Sequence, residues 1–288
     1  MRPLRDWPAA GRARIAGVFT DIDDTLTTDG DITPDALRAL ADLRAAGLPV
    51  IAVTGRPVGW SEDFAATWPL DAVVAENGAV ALVPQADGAP PPAEIPDENA
   101  RQPALRLRRV LSKIYLQDAA ARAANFARMQ QVLQRILREV PGAAASRDSP
   151  GRETDIAIDH SEFASLPPAA IDRVVAIMRS EGMRATVSSI HVNGWYGDHD
   201  KWVGARWIVR ALLDRALDAE TGRWAYVGDS TNDERMFAAF PESSVGVANI
   251  ARFAPRLARL PAWLAPSERG AGFAEVARAL LAARGAAG

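Results

Sequence analysis

The chain has 288 residues, enough for two domains or one large one, with 48% hydrophobic and 24% charged residues, the balance of an ordinary globular protein. Its 33 basic and 36 acidic residues leave a formal net charge of -3, which argues against the basic face of a general nucleic-acid binder. The absence of cysteine excludes disulfide scaffolds, thiolate zinc sites, iron–sulfur clusters and cysteine nucleophiles.

No stretch approaches the roughly 18 uninterrupted apolar residues of a membrane span. The opening MRPLRDWPAAGRARIAG has early arginines but no apolar stretch behind them, so no signal peptide is read and a cytoplasmic location is expected. Lys113 and Lys201 are the only lysines; the other 31 basic residues are arginine, a skew that fits genomic base composition.

In chain order, Arg14–Thr20 reads as a buried strand ending at the acidic run Asp21-Ile22-Asp23-Asp24. Thr33-Pro34 signals a helix start, with Thr33 as N-cap, and Gly47 its end. Leu48–Val53 is a second strand, running into Thr54-Gly55-Arg56. Strand, helix, strand predicts a parallel sheet. Ala72–Ala75 is a third strand, followed by Glu76-Asn77-Gly78. Val80–Val83 leads into a proline-rich loop, and a strand is expected to return within Arg106–Leu116. The spacing then predicts a helix over 119–140, a strand over 155–158, a helix over 168–181 and one or two strands over 184–192. Further helices are expected over 201–217, near 233–239 and over 273–283, with strands over 224–227 and 245–247.

Four polar clusters fall at corresponding places. Asp21 and Asp23 follow the first strand, Thr54 the second, and Asp229 with Asp233 a late one; Lys201 opens a helix. In an open parallel sheet the C-terminal strand ends share one edge, where ligands bind. Crowded carboxylates are hard oxygen ligands and call for a divalent cation such as Mg²⁺. Read singly, Asp23-Asp24-Thr25 and the 229–233 run could be caps or turns, and Lys201 a surface charge; their joint order carries the reading.

That order resembles the haloacid dehalogenase superfamily of phosphohydrolases. VFTDIDDTLT, VIAVTGR, DHDKWVGA and VGDSTNDERMF stand where the four motifs of the family stand. Lys201 lies 147 residues beyond Thr54 but only 28 before Asp229. The surplus implies a second domain inserted between the second and third motifs, as in the subgroup with a C2-type cap. AENGAV and VGVAN are similar to its sugar-phosphate phosphatase branch. The fold implied is α/β, a doubly wound, Rossmann-like parallel-sheet core at 1–83 and 194–288, with an inserted α+β cap at 84–193. Hinges are expected near Val83–Gln85 and Asn193–Gly197.

The resemblance implies a Mg²⁺-dependent phosphatase acting on a small phosphorylated metabolite, a sugar or polyol phosphate. Asp21 would be the nucleophile that forms an aspartyl-phosphate, and Asp23 the acid and base. Asp21, the Asp23 carbonyl and Asp229 would hold Mg²⁺ with support from Asp233. Thr54 and Lys201 would bind the phosphoryl oxygens. Gly55, Arg56 and Asn77 are candidate substrate contacts. A sugar phosphomutase of the same superfamily remains the alternative. A signalling receiver domain is disfavoured, because Asp229 follows Lys201 and an insertion of about 100 residues interrupts the core. A noncatalytic binding protein is disfavoured because every reactive position is filled.

Asp24 is assigned a capping role. His160, His191 and His199 do not form a metal set by spacing. His191 and Asn193 lie near the expected return to the core, and Arg147, Arg152 and Glu153 are cap candidates for substrate contact. Trp60 and Trp195 are read mainly as packing residues.

Overall fold

A computed structural model describes residues 1–85 and 108–285. Among these, nine strands form one sheet in the order Arg2–Pro3, Trp263–Leu264, Ser244–Gly246, Trp224–Gly228, Gly17–Thr20, Val50–Val53, Ala72–Ala75, Val80–Pro84, Leu111–Tyr115. The first seven are parallel and the last two pair antiparallel. Gly17–Thr20, Val50–Val53, Ala72–Ala75 and Trp224–Gly228 are buried at every position, the pattern of strands covered on both faces.

Helices supply the covers. On one face, Leu37, Leu40 and Leu43 of Pro34–Ala45 and Phe273 and Leu280 of Arg269–Gly285 join the apolar cluster that holds Val18 and Val50. On the other, Ala205, Ile208 and Val209 of Lys201–Leu213 and Met236 and Phe237 of Glu234–Ala239 join Phe19, Ile51 and Tyr226. The strand Gly17–Thr20 lies between Val50–Val53 and Trp224–Gly228. The chain leaves it toward one side and returns on the other, which makes this the switch point where a crevice opens at the strand ends.

A second sheet has the antiparallel order Arg184–Val187, His191–Trp195, Ile156–Asp159, Ala144–Ala145. Helices Ala119–Glu139 and Pro168–Ser180 cover one face, with Met129, Ile136, Val174 and Ile177 in the cluster that holds Ile156, Ile158 and Val192. Alternation puts Ala157, His191 and Asn193 on the opposite face. Asn193 reaches the core there, its Nδ2 lying 3.4 Å from the Gly55 carbonyl oxygen.

The chain is thus α/β, with a mostly parallel Rossmann-like core and a cap. The strand pairing revises the expected crossings. Val83 and Pro84 pair with Ser112 and Leu111 inside the large sheet, so the hinge expected at Val83–Gln85 falls within a paired hairpin. His191–Trp195 straddles the boundary expected at 193. We propose that the division between core and cap falls near Leu116–Asp118 and Tyr196–Asp200. The proline-rich segment expected as a loop lies, beyond Gln85, outside the described residues.

Several elements were not legible. The sequence pattern does not announce the helix Val58–Thr67, the short helices Leu4–Asp6 and Ala9–Ala13, or the edge strands Arg2–Pro3 and Trp263–Leu264. The helix from Lys201 stops at Leu213, short of 217, because Asp214 takes the left-handed conformation at φ 51°. Thr33 occupies the N-cap position but makes no side-chain cap bond.

Candidate active site

Three strand ends meet at the crevice. Asp21 follows Thr20, and its backbone N–H is tied 2.9 Å from the Val227 carbonyl oxygen. Thr54 is fully buried, its Oγ1 accepting from the Arg56 N–H at 3.0 Å. The hydroxyl proton of Thr54 stays available to a ligand, since the oxygen is the acceptor in that bond.

Lys201 is placed by the start of its helix. Asp200 caps it, Oδ1 accepting from the Val203 N–H at 2.9 Å. The helix then presses on the Glu76–Gly78 turn, where a Cβ on Gly204 would lie 2.5 Å from the Gly78 Cα. Lys201 is 2% exposed, with Nζ 2.9 Å from Asp21 and 2.7 Å from Asp233.

Asp233 is saturated by protein donors. Its Oδ1 accepts from Lys201 and the Tyr226 hydroxyl, and its Oδ2 from the N–H groups of Asp229 and Ser230 at 2.9 and 3.1 Å. Ser230 and Asp233 complete a reciprocal capping box, so the helix-start reading of the 229–233 run and its place in the site are both realised. A Cβ on Gly228 would sit 2.5 Å from Asp233 Oδ2, which reserves that position for glycine. Asp229 is held more loosely, accepting from Thr25 Oγ1 at 3.4 Å and Asn249 Nδ2 at 3.2 Å.

Asp21, Asp229 and Asp233 are buried, and their oxygens lie within 4.8 Å of one another. Burial pushes the Asp21 carboxyl up to about 7, with Asp233 and Asp23 pushing the same way and Lys201 opposing. Burial and the neighbouring Asp233 and Asp21 raise Asp229 well above the carboxylate range. Burial would lower the Lys201 ammonium, but Asp21 and Asp233 outweigh it and hold it above its usual value. One ammonium against three carboxylates leaves negative charge uncompensated, which fits a hard divalent cation on oxygen ligands.

Asp23 faces a different partner. Arg56 Nε donates to both its carboxylate oxygens, and the same guanidinium lies 3.2 Å from Glu162 and 3.5 Å from Asp148 of the cap. Arg56 stacks on Trp60 at 4.4 Å. A narrow cleft here is lined by Asp21, Asp23, Gly55, Arg56, the cap segment Ser188–His191, Asn193 and Asn232. Gly55 and Arg56, expected at the substrate, therefore line the cleft, and so do His191 and Asn193.

Asn77 is turned elsewhere. It is 2% exposed and donates to Asp155 of the cap at 3.3 Å. Asp155 also receives Arg152 at 2.7 Å and Asn193 at 3.1 Å. Glu76, at φ 48°, accepts from the N–H groups of Val58, Glu153 and Thr154 and from the Thr154 hydroxyl. The Glu76-Asn77 turn thus fastens core to cap. Glu153, a cap candidate for substrate, pairs with Lys113 and Tyr115; Arg147 stacks on Phe163.

Asp159, Glu162 and His191 also cluster within 4.8 Å. Asp159 is taken up by the N–H groups of Ser161, Glu162 and Phe163, and Glu162 by His191 and Arg56. Asp24, expected as a cap, receives no backbone N–H on its carboxylate among the described residues and instead pairs with Arg269 at 3.1 Å. Trp195 stacks on His199 and packs with the cap core. Sequence reasoning missed Asp148 and Glu162 as partners of Arg56, Asn232 in the cleft, Tyr226 on Asp233, and Asn249 on Asp229. The last was within reach, since Asn249 ends the VGVAN segment.

A family model of haloacid dehalogenase-like hydrolases matches residues 18–93. A search of curated protein sequences returned no match. Solved structures do match. A Thermoplasma acidophilum protein is 16% identical with a TM-score of 0.64, over 93% of this chain and 98% of that one. The sucrose-phosphatase from Synechocystis, in complex with sucrose and phosphate, is 14% identical at TM-score 0.60, over 92% and 98%. The C-terminal domain of the C. albicans trehalose-6-phosphate phosphatase is 13% identical at TM-score 0.62, over 99% of both. Such identities speak for the fold. The family match is confined to residues 18–93, a region similar to haloacid dehalogenase-like hydrolases, and the solved structures show that this chain shares their fold.

Proposed function

We propose that the protein is a Mg²⁺-dependent phosphatase that hydrolyses a small phosphate monoester, a sugar or polyol phosphate, through an aspartyl-phosphate on Asp21. The observation that carries this reading is the meeting of Asp21 and Asp23 in one cleft with Lys201 Nζ 2.9 Å from the Asp21 carboxylate. Uncatalysed hydrolysis of such esters is very slow, so charge neutralisation and positioning dominate.

Lys201 holds one Asp21 oxygen and leaves the other to attack phosphorus. The phosphorus–alkoxide bond breaks as the Asp21–phosphorus bond forms, and Asp23 gives its proton to the departing alkoxide. Asp23 then takes a proton from water, whose oxygen attacks the aspartyl-phosphate and releases phosphate and Asp21. The Thr54 hydroxyl and Lys201 meet the phosphoryl oxygens. Asp21, the Asp23 carbonyl and Asp229 would hold Mg²⁺, which supplies neutralisation of phosphoryl charge. In the present geometry Arg56 occupies Asp23, so Asp23 must leave that pair to carry a proton.

The solved relatives named as sucrose-phosphatase and trehalose-6-phosphate phosphatase support a small phosphorylated metabolite as substrate. The test is phosphate release from a panel of sugar, polyol and other small phosphate esters with Mg²⁺, for wild type and Asp21→Asn. Release by wild type and none by the variant is expected. Equal release by both would overturn the nucleophile; no release from any ester by either would overturn the phosphatase.

A further inference from the structure

A second cavity, of about 510 Å³, lies between cap and core beside the catalytic cleft. That volume is within the range of small-molecule sites, roughly 300–1,000 Å³. Its cap wall carries Arg179 and Thr186; its core wall carries Arg235, Arg256 and Arg259. Four of its 12 lining residues are arginine, in a chain where 31 of 288 are, so the compositional skew of the chain predicts about one. Glu234 is the one acid among them, and it accepts from the Arg259 backbone N–H at 2.9 Å. Arg235 pairs with Asp200 at 3.2 Å. Among the described residues, no ion pair or side-chain hydrogen bond is made by the guanidinium groups of Arg179, Arg256 or Arg259. The Thr186 hydroxyl is buried and has no hydrogen-bond partner.

Guanidinium groups gathered on facing walls with a single lining carboxylate repel one another, and a planar fork matches phosphate oxygens two at a time. We infer that this groove is a second anion site, for a small compound carrying two or more phosphoryl groups, that bridges cap and core. Asn232 lines both this groove and the catalytic cleft, while the bond from Thr231 Oγ1 to the Val187 carbonyl oxygen ties the two walls between them. The ligand therefore binds apart from the reacting phosphoryl group, and its occupancy holds the two walls together. Binding of the anion does not depend on the phosphatase reading; only the turnover measurement rests on it.

Calorimetric titration of the full chain with inorganic tripolyphosphate tests it, in low salt and without Mg²⁺, where exposed charges act over ~30 Å. The variants are Arg179→Gln on the cap wall and Arg256→Gln with Arg259→Gln on the core wall. Loss of a charge-assisted contact should weaken binding about tenfold or more in each. Turnover of p-nitrophenyl phosphate without tripolyphosphate should be unchanged in both. Added tripolyphosphate reports the source of the anion: a separate ligand alters that turnover without competing, and the far end of a long substrate competes, in each case only while Arg179 is present. Equal binding by wild type and both variants would overturn the site, and loss in the core-wall variant alone would overturn the bridge.

Discussion

Arg56 Nε lies 2.9 and 3.0 Å from the two carboxylate oxygens of Asp23, so the proposed proton donor is held as an ion pair by a residue that also grips the cap. Glu162 and Asp148 take the other side of the guanidinium. Removing one partner of a buried charge cluster typically costs ~3–5 kcal/mol, because the remaining charges are left unpaired. Arg56→Ala is expected to lower stability on that scale, discounted somewhat because Asp23 and Glu162 are partly exposed. Arg56→Lys keeps the charge but cannot span three carboxylates. Steady-state kinetics should show its KM rising about tenfold or more; an unchanged KM would mean that the Arg56 contacts to Asp148 and Glu162 do not shape the substrate site.

Asn249 gives a second prediction. It donates to Asp229 at 3.2 Å and to the Asp24 carbonyl oxygen at 3.0 Å, while its own oxygen accepts from the Arg269 N–H. Partners of this kind orient metal ligands, and their loss usually weakens metal binding by about 10–100-fold. EDTA should silence the enzyme and Mg²⁺ restore it. Asn249→Ala should need that much more Mg²⁺ for half-maximal activity while approaching the wild-type rate at saturation. Identical Mg²⁺ curves for both proteins would contradict the proposed ligand Asp229.

The core of this arrangement was readable in the sequence because each proposed catalytic residue follows a buried, mostly apolar strand or opens an amphipathic helix. Asp21, Thr54, Lys201 and Asp229 needed only the strand and helix that carry them. Arg56 was placed near the site but its partners were not, since Asp148 and Glu162 come from cap turns with no periodic pattern. Glu76 and Asn77 both adopt left-handed backbone, at φ 48° and 56°, a conformation that Asn favours but that a glutamate does not announce. The helix Val58–Thr67 was missed because its strand-prone tryptophan and phenylalanine and its Gly59 weaken the local signal.

His199 sits in the passage from cap to core and sets a pH limit. It is 2% exposed, stacks on Trp195, and neither ring nitrogen has a hydrogen-bond partner. Burial, aided by Arg184, lowers it from 6.5 to about 4. A base with a depressed folded value is stable above its unfolded value and loses that stability as pH falls through the folded one. The loss should run from about pH 6.5 down through 4 and reach roughly 3 kcal/mol. His199→Phe, which keeps the stack, should flatten that part of the curve. Chemical denaturation of both proteins at pH 7, 5 and 4 decides; parallel curves would show that His199 plays no part.

Lys201 is the sharpest test of the site. The chain writes 31 of its 33 cationic side chains as arginine, yet places a lysine between Asp21 and Asp233 at 2.9 and 2.7 Å. The pocket explains why. Lys201 is 2% exposed, and a compact ammonium can meet both carboxylates where a planar fork would collide or push Asp21 off line. Lys201→Arg is expected to lose ~10²-fold or more in kcat, the scale of removing one preorganised charge-stabilising group. Lys113 is the control. It bridges Glu62 and Glu153 at 2.9 Å each on a half-buried side chain, where a guanidinium can make the same two pairs. Lys113→Arg should leave kcat within about twofold, since exposed pairs of this kind are worth only ~0–1 kcal/mol. Thermal melts must show Lys201→Arg folded before the rate is read. Full activity in a folded Lys201→Arg would mean that charge alone is required there, and that the geometry around Asp21 is looser than these distances imply.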